Sequence, residues 1–204
     1  MARAVRSTAS ASSAIWAADQ AATAHVLTAA ASRQRHAELI VEWQKIAGDG
    51  RVLQTALLWR YRPLRTTADT PRFPLSRFVI SGDEVAVDGD VLKFGKDALP
   101  EAPFLNNTTM CMFSHLYAAG GAPGPANLIA EQPAIPPDLR SNPSRVTPYE
   151  LQIWNQIWRL RGDPASAKLR NVSVEALPAG ETRLQRGRLY EVWIGSELGD
   201  NSSW

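Results

Sequence analysis

"RFVISGDEVAVDGDVLKFG", residues 77–95, decides the class of fold. Apolar and polar residues alternate here with period two, the spacing of a half-buried strand. "RFVIS" reads as one strand, "GDE" as a turn and "VAV" as a second strand. Asp88-Gly89 then carries the signal of a tight hairpin turn, with "VLKFG" as the returning strand. The pattern recurs near the C-terminus in "VSVEAL" and "RLQRGRLYEVWIG", separated by a "PAGE" turn. About five short strands, together with helices, predict an α+β protein with a small, mainly antiparallel sheet.

Upstream the punctuation changes. From about Ser10 to Ala47 there is neither glycine nor proline. Leu39, Ile40, Trp43 and Ile46 fall at helical spacing. They predict one long helix, or two joined helices, closing at Gly48 and Gly50. Its first half is alanine-rich and carries Trp16; small side chains there let another helix approach closely. "RVLQTALLWRYRPL" follows as a short apolar segment, helical or strand-like, ended by Pro63. Residues 1–65 are thus expected to form an N-terminal helical extension, and residues 66–204 the α+β domain.

"VTPYELQIWNQIWRLRGDP", residues 146–164, reads as a fully punctuated helix. Thr147 is an N-cap, Pro148 occupies the first helical position and Glu150 completes a capping box. Val146 and Leu151 are spaced as a hydrophobic staple. Gly162 and Pro164 end the helix, and Arg159 and Arg161 suit its negative terminus. At about 100° per residue, Leu151, Trp154 and Trp158 share one flank. Ile153, Ile157 and Leu160 extend it to an arc of roughly 200°, against about 100° for a helix serving one core. Either the helix is wedged deep in its own domain, or it faces its own sheet on one side and another subunit on the other. Paired tryptophans suit both, and the interface reading nominates Trp154, Trp158, Ile153 and Ile157.

Residues 120–148 are proline-rich and cannot form a helix or an inner strand. Leu128, Ile129, Ile135 and Leu139 are spaced along them, so the segment is either a disordered linker or an extended strap across a surface. Leu128 and Ile135 join Trp16 and the helix residues as expected interface positions.

At 204 residues the chain is long enough for a real core. Its net charge of +2 argues against bulk nucleic-acid binding. The charge is uneven: residues 1–65 hold nine Lys/Arg against four Asp/Glu, leaving thirteen against sixteen for the rest. Cys111 is alone, so no disulfide or cysteine zinc site can form within the chain. No apolar run is long enough to span a membrane. The Ala/Ser/Arg composition of the first twenty residues is that of a mitochondrial transit segment, and no apolar secretory core follows it.

Catalytic signatures are sparse. "GDVLKFGKD" fails as a phosphate loop: five residues separate Gly89 from Gly95 where four are needed, and Asp97 follows Lys96 where a hydroxyl is needed. In "MCMFSHLY" Cys111 and His115 would meet on a helix as a thiolate–imidazole pair, but the surrounding Met and Phe residues are those of a buried structural segment. His25 and His36 have no carboxylate to complete a metal set. No cofactor or metal site is expected, and no enzymatic activity. These features together lead to the expectation of a non-catalytic accessory subunit of a large protein assembly. A mitochondrial inner-membrane energy-transducing complex, a respiratory-chain complex or ATP synthase, is the specific candidate. Its partners would be other protein subunits, with no nucleic acid. A free-standing cytoplasmic binding module or scaffold, and an enzyme with an unrecognised site, are the alternatives.

Overall fold

The alternation at residues 77–95 builds two consecutive strands, β3 (Ser76–Ser81) and β4 (Glu84–Phe94), turning at Gly82, whose φ is +75°. It does not build a hairpin at Asp88-Gly89. β4 runs unbroken through both residues and pairs along its length with β5 (Thr108–Ala118). Gly89 is there for close approach: a Cβ at this position would stand 2.4 Å from the Met112 carbonyl oxygen. Opposite it, Ser114 is an extra residue in β5, a β-bulge between the pairs Asp88–His115 and Gly89–Phe113. A glycine in a strand and one in a turn look alike in sequence, and the bulge explains this one.

The computed structural model describes residues 7–31, 35–61, 76–130, 134–136, 139–142, 144–177 and 181–193. The protein is α+β, with two antiparallel four-stranded sheets. The other elements are α1 (Ser7–Ala31), β1 (Arg35–Ile46), β2 (Val52–Tyr61), α2 (Pro148–Gly162), α3 (Pro164–Leu169), β6 (Val172–Ala176), β7 (Glu181–Arg183) and β8 (Leu189–Trp193). Sheet A has the order β3-β2-β1-β8. Sheet B has the order β5-β4-β6, with β7 pairing further along the same edge of β4 as β6.

The expected helix over 10–47 is a helix only as far as Ala31; residues 35–46 are strand β1. Ala37, Leu39 and Val41 alternate inward, while Ile40 is half-buried and Glu42 exposed. The spacing of Leu39 and Trp43 fits both periods, and a bulge at Glu42 shifts Trp43 relative to Val41, which blurs the alternation further. β1 pairs with β8 from the far end of the chain, and β2 pairs with β3 across residue 65. The helical part of the first 65 residues is therefore α1 alone among those described.

The two sheets face each other. Trp59 of β2 meets Phe113 of β5 edge to face, with ring centroids 5.1 Å apart, and Leu39, Leu57, Phe78, Val87 and Val91 fill the interior around them. The other face of sheet B carries the helices. Arg161 of α2 donates to Asp90 of β4 and to Ser114 of β5. By strand alternation Leu92, Met110 and Met112 lie on this same face, all buried. Among the described residues, sheet B is thus covered on both sides and sheet A on one.

Candidate functional site

α2 has the caps its sequence announces. The Thr147 hydroxyl accepts from the Glu150 amide at 3.1 Å, and the Glu150 carboxylate accepts from the Thr147 amide. The other Glu150 oxygen accepts from the Ser141 amide at 2.6 Å, so the same buried carboxylate ties the strap to the helix start. The wide apolar arc is consumed within the chain. Ile153, Trp154 and Ile157 are fully buried and Trp158 nearly so. Sheet B, α1, α3 and the strap between them cover both flanks. Of the apolar residues on that arc, Leu151 alone is exposed. Ile153, Trp154, Ile157 and Trp158 therefore present no surface to a partner, which corrects the interface reading of those four residues. A 200° arc is what a helix pressed between a sheet, two helices and a strap requires.

The strap is part of the same interior. Leu128 forms an antiparallel bridge with His115, and the Ile129 amide donates to the Ser114 carbonyl at 2.7 Å. Trp158 Nε1 donates to the Ala134 carbonyl at 3.2 Å. Ile135 is buried and Leu128 half-buried. Proline removes the donors a sheet needs, so the segment attaches through isolated amides, such as those of Ile129 and Ser141, an isolated carbonyl at Ala134 and the Leu128 bridge. Ile135, like the α2 residues, is core and offers no interface.

Beneath the strap lies a polar row: Asp88, Asp90, Ser114, His115 and Arg161. Asp88 Oδ1 accepts from the His115 amide at 2.9 Å and stands 3.3 Å from His115 Nδ1. Arg161 occupies both Asp90 and the Ser114 hydroxyl, and its guanidinium lies 5.2 Å from the Trp158 ring centroid. Cys111 is not in this row. It pairs with Val91, and His115 with Asp88; three residues apart on a regular strand, Val91 and Asp88 point to opposite faces. Burial pushes the Cys111 thiol well above its ordinary range, so it stays protonated and non-nucleophilic. The Ser114 hydroxyl accepts from Arg161. Among the described residues no group of three His, Cys, Asp or Glu side chains is placed to hold a metal ion. The row fixes the bulged end of β5 to α2 and the strap.

Surface remains on α1. Its second half is anchored: Thr23, Val26, Leu27 and Ala31 are buried, and Asp19 pairs with Arg145 at 3.1 Å. The turn and a half from Ser13 to Ala18 has no buried or half-buried residue. Ile15 is 59% exposed and Trp16 44%, with one edge of Trp16 set against Tyr149 at 5.8 Å between centroids. Of the residues expected at an interface, Trp16 is the one the fold leaves on the surface. The outer face of sheet A, with Val79 and Leu189 about half-exposed, is a second apolar surface. The helical spacing of Leu39, Trp43 and Ile46 hides this face in the sequence, because residues 35–46 form strand β1.

The fold is a two-sheet α+β protein whose exposed large apolar side chains include Ile15 and Trp16 on α1, Leu169 on α3, and Val79 and Leu189 on sheet A. No protein-family model matches the chain, nor does any curated protein or solved structure.

Proposed function

We propose that this protein is a non-catalytic subunit of a larger protein assembly and docks through the N-terminal half of α1. The supporting observation is the stretch Ser13–Ala18, which continues the helix with no contact deep enough to bury any residue. An alanine- and serine-rich helix of this length gains little from its own backbone, and its stability in proteins comes from packing. Ile15 and Trp16 supply the apolar anchors, and the alanines around them permit a close helix–helix approach. No helix among the described residues is long and apolar enough to cross a membrane, so the contact proposed is peripheral to any membrane component. The transit-like composition of the first twenty residues, taken as a targeting helix that the mature chain retains, favours a mitochondrial energy-transducing complex as the assembly.

The test is recovery of companions on the tagged full chain from its own cells. Trp16→Ala and Ile15→Asp should each reduce that recovery while leaving the melting temperature within about 2 °C, as expected of a surface substitution. Unchanged companions from both variants would remove the proposal's support.

A further inference from the structure

Among the described residues Leu169 is the most exposed large apolar side chain, at 89%. It ends α3, a helix whose one buried residue is Ala167, and it lies between Lys168 and Arg170, both exposed. The turn that follows is locked to the end of β4. The Gly95 amide donates to the Asn171 carbonyl at 2.8 Å, and Asn171 Nδ2 donates to the Lys96 carbonyl at 3.1 Å. Asn171 takes the left-handed conformation, with φ +58°, and its side chain stands where a Cβ on Gly95 would be. This lock sets Lys96 beside Arg170. Lys96, Lys168, Leu169 and Arg170 thus share one exposed tip. Its cations are uncommitted: Lys96, Lys168 and Arg170 form no ion pair among the described residues. The neighbouring carboxylates are engaged elsewhere. Glu175 pairs with Lys93 at 2.9 Å, and Asp163 accepts from the amide and hydroxyl of Ser166 at the start of α3. Asp97, next to Lys96, is the one carboxylate of the tip, against three cations.

The combination selects an anionic and deformable occupant. Folded protein partners bury a broad patch with an apolar centre, and the tip adds no second large apolar side chain to Leu169. A bilayer surface needs no such patch. An aliphatic side chain enters the boundary of headgroups and acyl chains, while Lys and Arg keep their charges at the level of the lipid phosphates with their stems along the apolar layer. We propose that this tip is a peripheral contact with the surface of an anionic lipid bilayer. Leu169 enters the headgroup layer, and Lys96, Lys168 and Arg170 face the phosphates. Each cation strengthens the partitioning about fivefold and the leucine about tenfold, so the tip orients the chain on a membrane and does not hold it there alone. It uses no residue of α1, so it stands apart from the docking of the larger assembly.

The test is co-sedimentation of the purified full chain with vesicles of mixed phosphatidylglycerol and phosphatidylcholine. Binding should be lost on vesicles of phosphatidylcholine alone and should weaken as salt is added. Leu169→Ser should lower the partition coefficient about tenfold. The double variant Lys168→Gln, Arg170→Gln should lower it about 25-fold, both at unchanged melting temperature, since all three positions are exposed. Arg186→Gln, an exposed cation in the turn before β8, should leave binding as it is. No binding to the anionic vesicles overturns the proposal. So does binding that the tip variants leave unchanged, whether Arg186→Gln or Trp16→Ala then abolishes it or neither does. Capture of an acidic protein through the tip, with no binding to vesicles, assigns the tip to a protein partner and equally overturns it.

Discussion

Sheets A and B are built from the same number of antiparallel strands and differ in what covers them. Sheet B has sheet A on one face and α1, α2 and the strap on the other; Met110, Cys111, Met112 and Phe113 are consecutive and all buried. Sheet A spends its inner face on the same core and leaves Val79 and Leu189 outside. The two patterns are visible in the strands themselves. β5 carries a continuous apolar run, Met110 to Phe113, as a strand covered on both faces does, while β3 alternates. α2 and the anchored half of α1 therefore serve sheet B, while exposed apolar side chains remain on sheet A, at Val79 and Leu189, and on the first turns of α1, at Ile15 and Trp16.

The sharpest way to break that contrast is Trp154→Ala. If α2 is wholly interior, losing this side chain should cost about 3–5 kcal/mol of folding stability in denaturant unfolding of the free chain. A cost below about 1 kcal/mol would return Trp154 to the surface. Gly89→Ala should come next. The new methyl group meets the Met112 carbonyl and the Phe113 Cα, both backbone, so the β4–β5 ladder must open. A loss of about 1–3 kcal/mol is expected, the range of an overpacked core site. An unchanged midpoint would show that Gly89 sits in a turn after all.

Thr147→Ala removes the hydroxyl side of the capping box and should cost about 1 kcal/mol. Glu150→Ala should cost more, because the carboxylate also holds the Ser141 amide. Equal losses from the two would detach the strap from α2. The smallest effect concerns sheet A. Val79→Ser should move the stability of the monomer by no more than about 0.5 kcal/mol, where Cys111→Ser on sheet B should cost distinctly more. Cys111 should also resist alkylation in the native chain and react on unfolding, since its buried thiol stays protonated at neutral pH and becomes thiolate only far into the alkaline range.

Much of sheet B and α2 was legible in the sequence. Period two over residues 77–94, the β6 strand, and the Thr147 cap, Pro148 and Glu150 capping box of α2 correspond to structure. Sheet A was not, apart from β3 and β8. Its β1 strand carries no turn residue to separate it from a helix, and its bulge at Glu42 blurs the alternation. β5 reads as a buried apolar segment with no preference between strand and helix, so Cys111 and His115 looked adjacent when their strand sets them on opposite faces. The surface was hardest. A wide apolar arc on a helix reports how much is covered, and sequence does not say by what. Trp158 donates to the Ala134 carbonyl of its own chain, whereas Trp16, in a segment of no clear periodicity, keeps its ring partly at the surface.

Amide hydrogen exchange, compared between the free chain and the chain within its assembly, tests this assignment of interior and surface most directly. Amides of α2 should be equally protected in both states, with the most protected ones exchanging only through global unfolding. Amides of residues 13–20 should exchange readily in the free chain and gain protection in the assembly. Protection of α2 that appears only in the assembly, with residues 13–20 unchanged, would contradict the account.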